Sequence, residues 1–260
     1  RRKLKRSLDR QRRDHCMTDW YREDLAYIHD AGFGDYALES APGILEILAR
    51  SGIREGLVVD RGCGSGLWAR ELANAGYRVL GIDISSAMIE LARRRVPEAE
   101  FRVGSLFEEE IPPCDAVTLV GEVFNYLFDT PDDEETLGRI FRCVHDALDP
   151  GGVLVFDVAE PGQVRSGTPA RSFTEGDDWV VLVEREEEMD RAILTRRITS
   201  FRRVDELYRR DDEVHRLRLY RASEVTGGLR DAGLRLETMR SYGSYPLPEN
   251  HAAFVARKPA

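Results

Sequence analysis

The stretch VVDRGCGSG, Val58 to Gly66, sets three glycines at alternate positions behind a β-branched run and an acidic residue. Glycine gives up backbone order, and its use here is room. Without Cβ atoms at Gly62, Gly64 and Gly66, a ligand can lie against bare main chain where a strand opens into a helix. A dinucleotide fold asks for GxGxxG, and its third glycine falls where this chain has Leu67, at the point of close helix–strand packing. A pyrophosphate would also sit poorly beside Asp60, two places before the first glycine. An ammonium or sulfonium suits that carboxylate, which points to an amino-acid-bearing nucleoside and away from a dinucleotide.

Outward from this loop, GLVVD, YRVLGID, AEFRVG, CDAVTLVG and GGVLVFDV are short apolar runs. Helix-like stretches such as GLWARELANAG, SSAMIELARRR and DDEETLGRIFRCVHDALDPGG lie between most of them. Strand alternating with helix predicts an α/β fold with a parallel sheet covered on both faces. The second run ends at Asp83, 17 residues beyond the last glycine, close to the spacing at which an acid meets a ribose diol in doubly wound folds. The third ends in VGSLF, where Ser105 and its neighbours could reach an adenine edge, and the fourth in VGEVFNYL.

Ahead of the loop, residues 20–52 read as helical, broken at the glycines of WYREDLAYIHDAGFG, with a restart behind Ser40 and Pro42 as helix-start signals. After FDVAEPG, three long alternating runs without an intervening helix read as antiparallel strands with one wet face. The helix RASEVTGGLRDAG follows, and LRLETMRSYG and HAAFVARKP supply two last strands joined by the turn-rich SYPLPEN. The expected organisation is a basic arm at 1–19, a core at 20–164 and 222–260 that includes the N-terminal covering helices, and an antiparallel β insertion at 165–221.

A chain of 260 residues has room for one large domain with an insertion. Its formal charge of −9 repels phosphate backbones and anionic lipid heads, so nucleic acid and membrane are not expected partners. The first 19 residues are the exception, with eight Lys or Arg against three Asp. They read as a solvated, partly helical tail or as sequence ahead of a start at Met17, and no role is assigned to them. Cys16, Cys63, Cys114 and Cys143 show neither CxxC pairing nor a nearby His at metal-ligand spacing, so reduced thiols in a cytoplasm and no metal are the expectation. No apolar run is long enough to span a bilayer, and the basic start lacks an apolar h-region.

The run VVDRGCGSGLWARELANAGYRVLGIDISSAMIELARR, followed in order by VGSLF, LVGEVFNYL and LDPGGVLVFDV, resembles a class I S-adenosylmethionine-dependent methyltransferase. The resemblance covers Leu57 to Val158 and extends through the two closing strands. It implies a Rossmann-like, doubly wound, seven-stranded sheet whose last strand is antiparallel. It also implies S-adenosylmethionine as cofactor, with S-adenosylhomocysteine as product. By motif, Asp60, Gly62, Cys63, Gly64 and Gly66 line the methionine portion, Asp83 the ribose, and Ile84 and Met88 the adenine face. Ser105 and Leu106 flank the adenine, and Gly121 with Glu122 sits beside the methionine end. There are two departures. Arg61 stands where this family's motif has an apolar residue and must snorkel or pair with an acid such as Asp157. Ser105 stands where many members have Asp.

Methyl transfer is an in-line displacement that needs alignment and water exclusion more than an obligatory side chain. A base helps only a protonated or hydroxylic acceptor. In EVHRLRLY, period-two alternation puts His215 on one face with Leu217 and Leu219, which makes it the candidate base or substrate contact, with satisfied core packing as the alternative. Tyr21, Tyr27 and His29 belong to a helix that, in similar methyltransferases, covers the open end of the cleft; Asn125 and Tyr126 follow the fourth strand, where substrate and methyl group meet. No (D/N)PP(Y/F) follows that strand, and Cys114 precedes it, so base methylation of the familiar kinds is not indicated. The place of the insertion and the covering helix resemble those of glycine and amino-sugar N-methyltransferases. The expected activity is methylation of an N or O atom of a small polar metabolite. The alternatives are a tRNA or protein acceptor, or a cofactor-binding module without turnover; oligomeric state stays open.

Overall fold

Near-continuous apolar runs bury both faces of a sheet, and the sheet forms where they recur. The computed structural model describes residues 20–128, 134–165 and 169–260; the basic arm lies outside the described residues. In chain order the elements are α1 (Glu23–Gly32), α2 (Asp35–Arg50), β1 (Leu57–Arg61), α3 (Leu67–Asn74), β2 (Arg78–Asp83), α4 (Ser86–Arg95), β3 (Glu100–Val103) and β4 (Cys114–Leu119). Then come α5 (Glu134–Ala147), β5 (Leu148–Ala159), β6 (Ala170–Glu175), β7 (Trp179–Glu188), β8 (Ile193–Val204) and β9 (Leu207–Arg218). The chain closes with α6 (Ala222–Asp231), β10 (Arg235–Met239), a short hairpin of β11 (Ser241–Tyr242) and β12 (Tyr245–Pro246), and β13 (His251–Arg257).

Seven strands form one sheet in the order β10-β13-β5-β4-β1-β2-β3. β1 to β5 pair in parallel, and β13 is antiparallel to both of its neighbours. This is the Rossmann-like sheet the motif order implies. Alternate side chains separate its two faces. Val58, Ala116, Val153 and Val255 pack with Ile44, Leu48, Trp68 and Leu72 on one side. Val59, Val117, Leu154 and Phe254 pack with Phe141, Val144, Val225 and Leu229 on the other. Phe156, fully buried and stacked on Phe254 at 5.1 Å between ring centroids, anchors the second layer; truncation to Ala is expected to cost about 3–5 kcal/mol.

Helix α2 corrects one expectation: it starts at Asp35 and runs through Ser40 and Pro42 without a restart. Pro42 removes one helical N–H, and the Ser40 hydroxyl donates back to the Tyr36 and Ala37 carbonyls at 2.6 and 3.2 Å. Burial of Ala41, Ile44, Ile47 and Leu48 outweighs that local defect. Gly43 lets the helix touch the hairpin, since a Cβ there would lie 2.2 Å from the Tyr242 backbone.

A separate antiparallel sheet, β6-β7-β8-β9, lies in the chain between β5 and α6. It is tied to the larger sheet where Leu127 N–H donates to the Arg216 carbonyl and Tyr220 N–H to that of Ala159. Helix α1 packs onto its inner face through Leu25, Ile28, Trp179, Val181 and Ile198. The Glu213 carboxylate on β9 accepts from Tyr21 N–H and Arg22 N–H, at 2.8 and 2.9 Å, just ahead of that helix. An anion at a helix N-terminus is favourable, so β9 and α1 hold each other. No helix among the described residues is long and apolar enough to cross a membrane.

Candidate active site

In doubly wound sheets, ligands collect beyond the carboxyl ends of the strands. Here a cavity of about 750 Å³ opens at that end, between the β1–β4 loops and a roof made by α1, α2 and the inner face of the antiparallel sheet. Gly62 and Cys63 N–H groups both donate to the Ile82 carbonyl, at 2.7 and 3.1 Å, folding the glycine loop over the end of β2. The three glycines serve different ends. A Cβ at Gly62 would meet Val123 at 2.4 Å, and one at Gly66 would press on Ala92 of α4 at 3.0 Å. Gly64 has φ +51° and open space where its Cβ would stand, and it lines the cavity. The bare backbone that can cradle a ligand is therefore at Gly64.

The Asp83 carboxylate accepts from Gly64 N–H and Ser85 N–H, both at 2.9 Å, tying the glycine loop to the start of α4. Burial pushes its carboxyl up, and those backbone donors pull against that. Each carboxylate oxygen has a second lone pair, and Asp83 stands on the cavity wall. Asp60 lies beneath the loop, 2% exposed. Its Oδ1 accepts from the Thr118 hydroxyl at 2.9 Å, which is in turn held by the Trp68 indole N–H at 3.0 Å. Its Oδ2 has no partner, and burial pushes the carboxyl up to about 7. An open glycine cradle, an acid with free acceptor capacity and an orphaned carboxylate oxygen fit a nucleoside that carries a cation.

Ile84, Met88 and Leu106 stand on the cavity wall, together with Phe107, which the motif reading did not single out. Asp60, Cys63, Gly66 and Ser105 are not on that wall. The Cys63 thiol is buried under the loop, and the Ser105 hydroxyl accepts from Phe107 N–H at 2.9 Å, shaping the turn behind the wall. Arg61 does not pair with Asp157. It is 2% exposed and donates to the Leu106 carbonyl and, at 3.1 Å, to that of Glu109. Asp157 is already occupied by Gly121 and Glu122 N–H groups and the Tyr242 hydroxyl. Burial brings Arg61 down to about 10. Its work is to tie together the 105–109 turn that carries Leu106 and Phe107.

The opposite wall is polar. Glu122, in a left-handed conformation at φ +55°, accepts two bonds from Arg196 of β8 at 2.8 and 3.0 Å, and the His251 ring lies 3.6 Å away. Burial alone would raise the Glu122 carboxyl, but Arg196 and His251 bring it down to about 2. Arg196 also reaches the Tyr126 hydroxyl at 3.3 Å, which shares a 2.9 Å bond with that of Tyr21. Burial, and for Tyr21 the neighbouring Tyr126, raises both phenols, so they stay protonated at neutral pH. His29 also faces the cavity; its Nδ1 is buried without a partner, and burial lowers the ring to about 4.

The other expected contacts lie off the wall. Tyr27 bonds Asp178 at 3.1 Å under the Arg202 guanidinium. Asn125 is buried and bridges the backbones of Ala159 and Arg218. His215 is fully buried, as its alternation implies, but it bonds Glu213 at 2.8 Å and lies against Tyr21, Tyr126 and Phe128. It backs the wall without forming it. Sequence reading missed Arg185, Arg196 and Tyr36, all on the wall. The available signal was phase: Arg185 alternates in step with the inward-facing Val181 and Val183. Among the described residues no cluster of three or more His, Cys, Asp or Glu could hold a metal ion.

Comparison with known proteins places this geometry. Residues 58–152 match the family described as methyltransferase domain. A Bacillus subtilis (strain 168) protein named as a methyltransferase, YqeM, is 27% identical over 191 residues, 70% of this chain and 74% of that protein. The dTDP-4-amino-2,3,4,6-tetradeoxy-D-glucose N,N-dimethyltransferase of Saccharopolyspora spinosa is 31% identical over 131 residues, 50% of this chain and 51% of that enzyme. The crystal structure of the sugar N-methyltransferase KedS8 from Streptoalloteichus sp ATCC 53650 superposes with TM-score 0.72 at 21% identity, covering 90% or more of each chain (91% and 92%); at that identity the likeness speaks for the fold. With the glycine loop and the sheet order already in place, the match gives the kind of the core: residues 58–152 are a methyltransferase domain, set in a Rossmann-like fold shared with solved S-adenosylmethionine-dependent methyltransferases.

Proposed function

We propose that the protein methylates an N or O atom of a small polar metabolite, with an uncharged amine the favoured acceptor, inside the roofed cavity. The observation that carries this reading is the roof itself. The inner face of β7 and β8, with α1, roofs the space above the glycine loop, and a roofed cleft of this size suits a compact molecule better than a macromolecule. The antiparallel sheet, residues 165–221 with its connections, acts as the lid of the core. S-adenosylmethionine, when bound, supplies an electrophilic methyl group. Gly64 would give it room, Asp83 would accept from the ribose diol, Asp60 beneath the loop would supply negative charge toward its ammonium, and Ile84, Met88 and Leu106 would flank the adenine.

On the acceptor side, the chain's own groups position and desolvate. His29 stays neutral at physiological pH, and with Nδ1 unprotonated it offers a lone pair to an N–H of the acceptor. A ring that titrates near 4 is too weak a base to strip an ammonium, so the amine must arrive as its free base, and His29 orients it. Tyr21 and Tyr126, as neutral phenols, complete the polar wall. The N-methyltransferase named above, whose substrate is an aminodeoxy sugar, supports an amine acceptor.

Two measurements test this. Calorimetry with S-adenosylhomocysteine tests the cradle, and incubation with methyl-labelled S-adenosylmethionine and a metabolite extract tests turnover. Label recovered in a small amine supports the proposal. Label recovered only in RNA or protein refutes it, and label in a carboxyl or hydroxyl product removes the amine preference.

A further inference from the structure

The inner face of the roof carries one more positive charge than methyl transfer calls for. Across β6 to β9, Ala170, Arg185, Arg196 and His215 stand in one register row. Arg185 and Arg196 are therefore direct cross-strand neighbours, both on the cavity wall. Like charges placed directly opposite one another destabilise a sheet. For Arg196 the charge is compensated by Glu122. For Arg185, among the described residues, it is not: its Nε is shielded from solvent and has no hydrogen-bond partner there.

Among the described residues, none of the acids nearby compensates it. Glu187, next on the same face of β7, accepts from the Gly162 and Val164 backbones. Glu184 and Glu186 point to the outer face and pair with Arg171 and Arg197. Asp83 on the cofactor wall is held by Gly64 and Ser85. Glu249 on the cavity rim is exposed and forms no ion pair with Arg185. A half-buried guanidinium kept beside a second guanidinium, with no ion pair among the described residues, is a place for an anion from outside the chain. Its planar fork matches the two oxygens of a carboxylate or phosphate, and the Ser172 hydroxyl lies on the same wall.

We propose that Arg185, assisted by Ser172, is an oxyanion-binding subsite for the methyl acceptor, so that the acceptor carries a carboxylate or a phosphate as well as the atom that is methylated. This rests on the roofed cavity being the acceptor site. The test uses the full chain loaded with S-adenosylhomocysteine and two probes, inorganic phosphate followed by phosphorus NMR and acetate followed by saturation-transfer NMR. Wild type is expected to bind at least one of them saturably. Arg185→Gln should weaken that binding tenfold or more, whereas Arg197→Gln on the outer face should leave it as in wild type. The probe that binds tells carboxylate from phosphate.

Binding of neither probe, or equal binding by wild type and R185Q, overturns the subsite. If R185Q instead weakens S-adenosylhomocysteine binding measured by calorimetry, Arg185 holds the cofactor's own carboxylate and the acceptor assignment is overturned. A wild-type chain that takes phosphate or acetate at Arg185 but no S-adenosylhomocysteine keeps the oxyanion site and removes the methyl-transfer reading, so the two failures are distinct.

Discussion

Asp60→Asn should make the ligand-free protein more stable and the cofactor bind less well. The Asp60 carboxyl is pushed from 3.8 to about 7 by burial, which means the folded chain bears the cost of a desolvated charge. That gap corresponds to about 4 kcal/mol at pH 8. Asparagine removes the charge and keeps an acceptor for the Thr118 hydroxyl, but it puts an amide N–H₂ where Oδ2 has no partner. An unmet buried donor costs about 1–3 kcal/mol. The net gain is about 2 kcal/mol, or a Tm rise of roughly 4–8 °C for a chain of this size.

The pH dependence fixes the cause. Because the folded pKa lies above the unfolded one, the penalty is absent below about 3.8, grows as pH rises, and is complete above about 7. Scanning calorimetry should therefore show the advantage of D60N at pH 8 shrinking steadily toward pH 4. Binding runs the other way. A cation over Asp60 requires the carboxylate, so wild-type affinity for S-adenosylhomocysteine should be about tenfold lower at pH 6 than on its plateau above pH 7, with D60N weak and flat. A D60N protein that melts at or below the wild-type temperature at pH 8, or a difference indifferent to pH, refutes the reasoning.

Gly64→Ala should fold with a loss of about 1–2 kcal/mol from its left-handed conformation, yet weaken S-adenosylhomocysteine at least tenfold by calorimetry, since its Cβ enters the open cradle. Gly62→Ala should instead show its main loss in thermal melts, because its Cβ collides with Val123. Asp83→Ala should weaken the cofactor by about 1.5–3 kcal/mol, the range for hydrogen bonds to a charged group; an unchanged dissociation constant rejects the ribose assignment. Glu122→Gln leaves Arg196, like its neighbour Arg185, without a compensating carboxylate and should cost about 3–5 kcal/mol in stability at pH 7. That deficit should narrow as pH falls from 4.5 toward 2, the interval over which the unfolded chain takes up a proton at this carboxyl that the folded chain still excludes.

The parallel half of the fold was legible because its signals are local. β1, β2, β4 and β5 are each a short apolar run with the turn residues adjoining it, and the Gly62–Gly66 loop and Asp83 lie within one βαβ unit. Local signals misled where tertiary burial overrode them. Ser40 and Pro42 have the chemistry of a helix start, but Ala41, Ile44 and Leu48 face the core whether or not one helical N–H is lost. Arg61 was expected to snorkel or to pair with an acid; instead its N–H groups donate to the carbonyls of a turn more than forty residues away.

The polar wall of the cavity was illegible for a different reason. Glu122 and Arg196 are 74 residues apart, and their pairing depends on how β8 registers against β7 and on where the roof meets the loop after β4. Periodicity places Arg185 and Arg196 on inward faces of their own strands but says nothing about which residue of the next strand stands opposite. A shift of one residue in the β7–β8 register would turn one arginine to solvent and remove the pair. The unmatched charge over the cavity is thus a property of the register, and the register is held by burial of Val181 and Ile198 against α1. Helix α1 therefore does two things at once: it roofs the cavity, and it fixes the alignment that leaves Arg185, among the described residues, without a counter-ion. Loosening it with Ile28→Ala should lower the affinity for an oxyanion before it lowers that for S-adenosylhomocysteine, whose cradle lies on the other side of the cleft and is tied by Gly64 and Asp83 to β2.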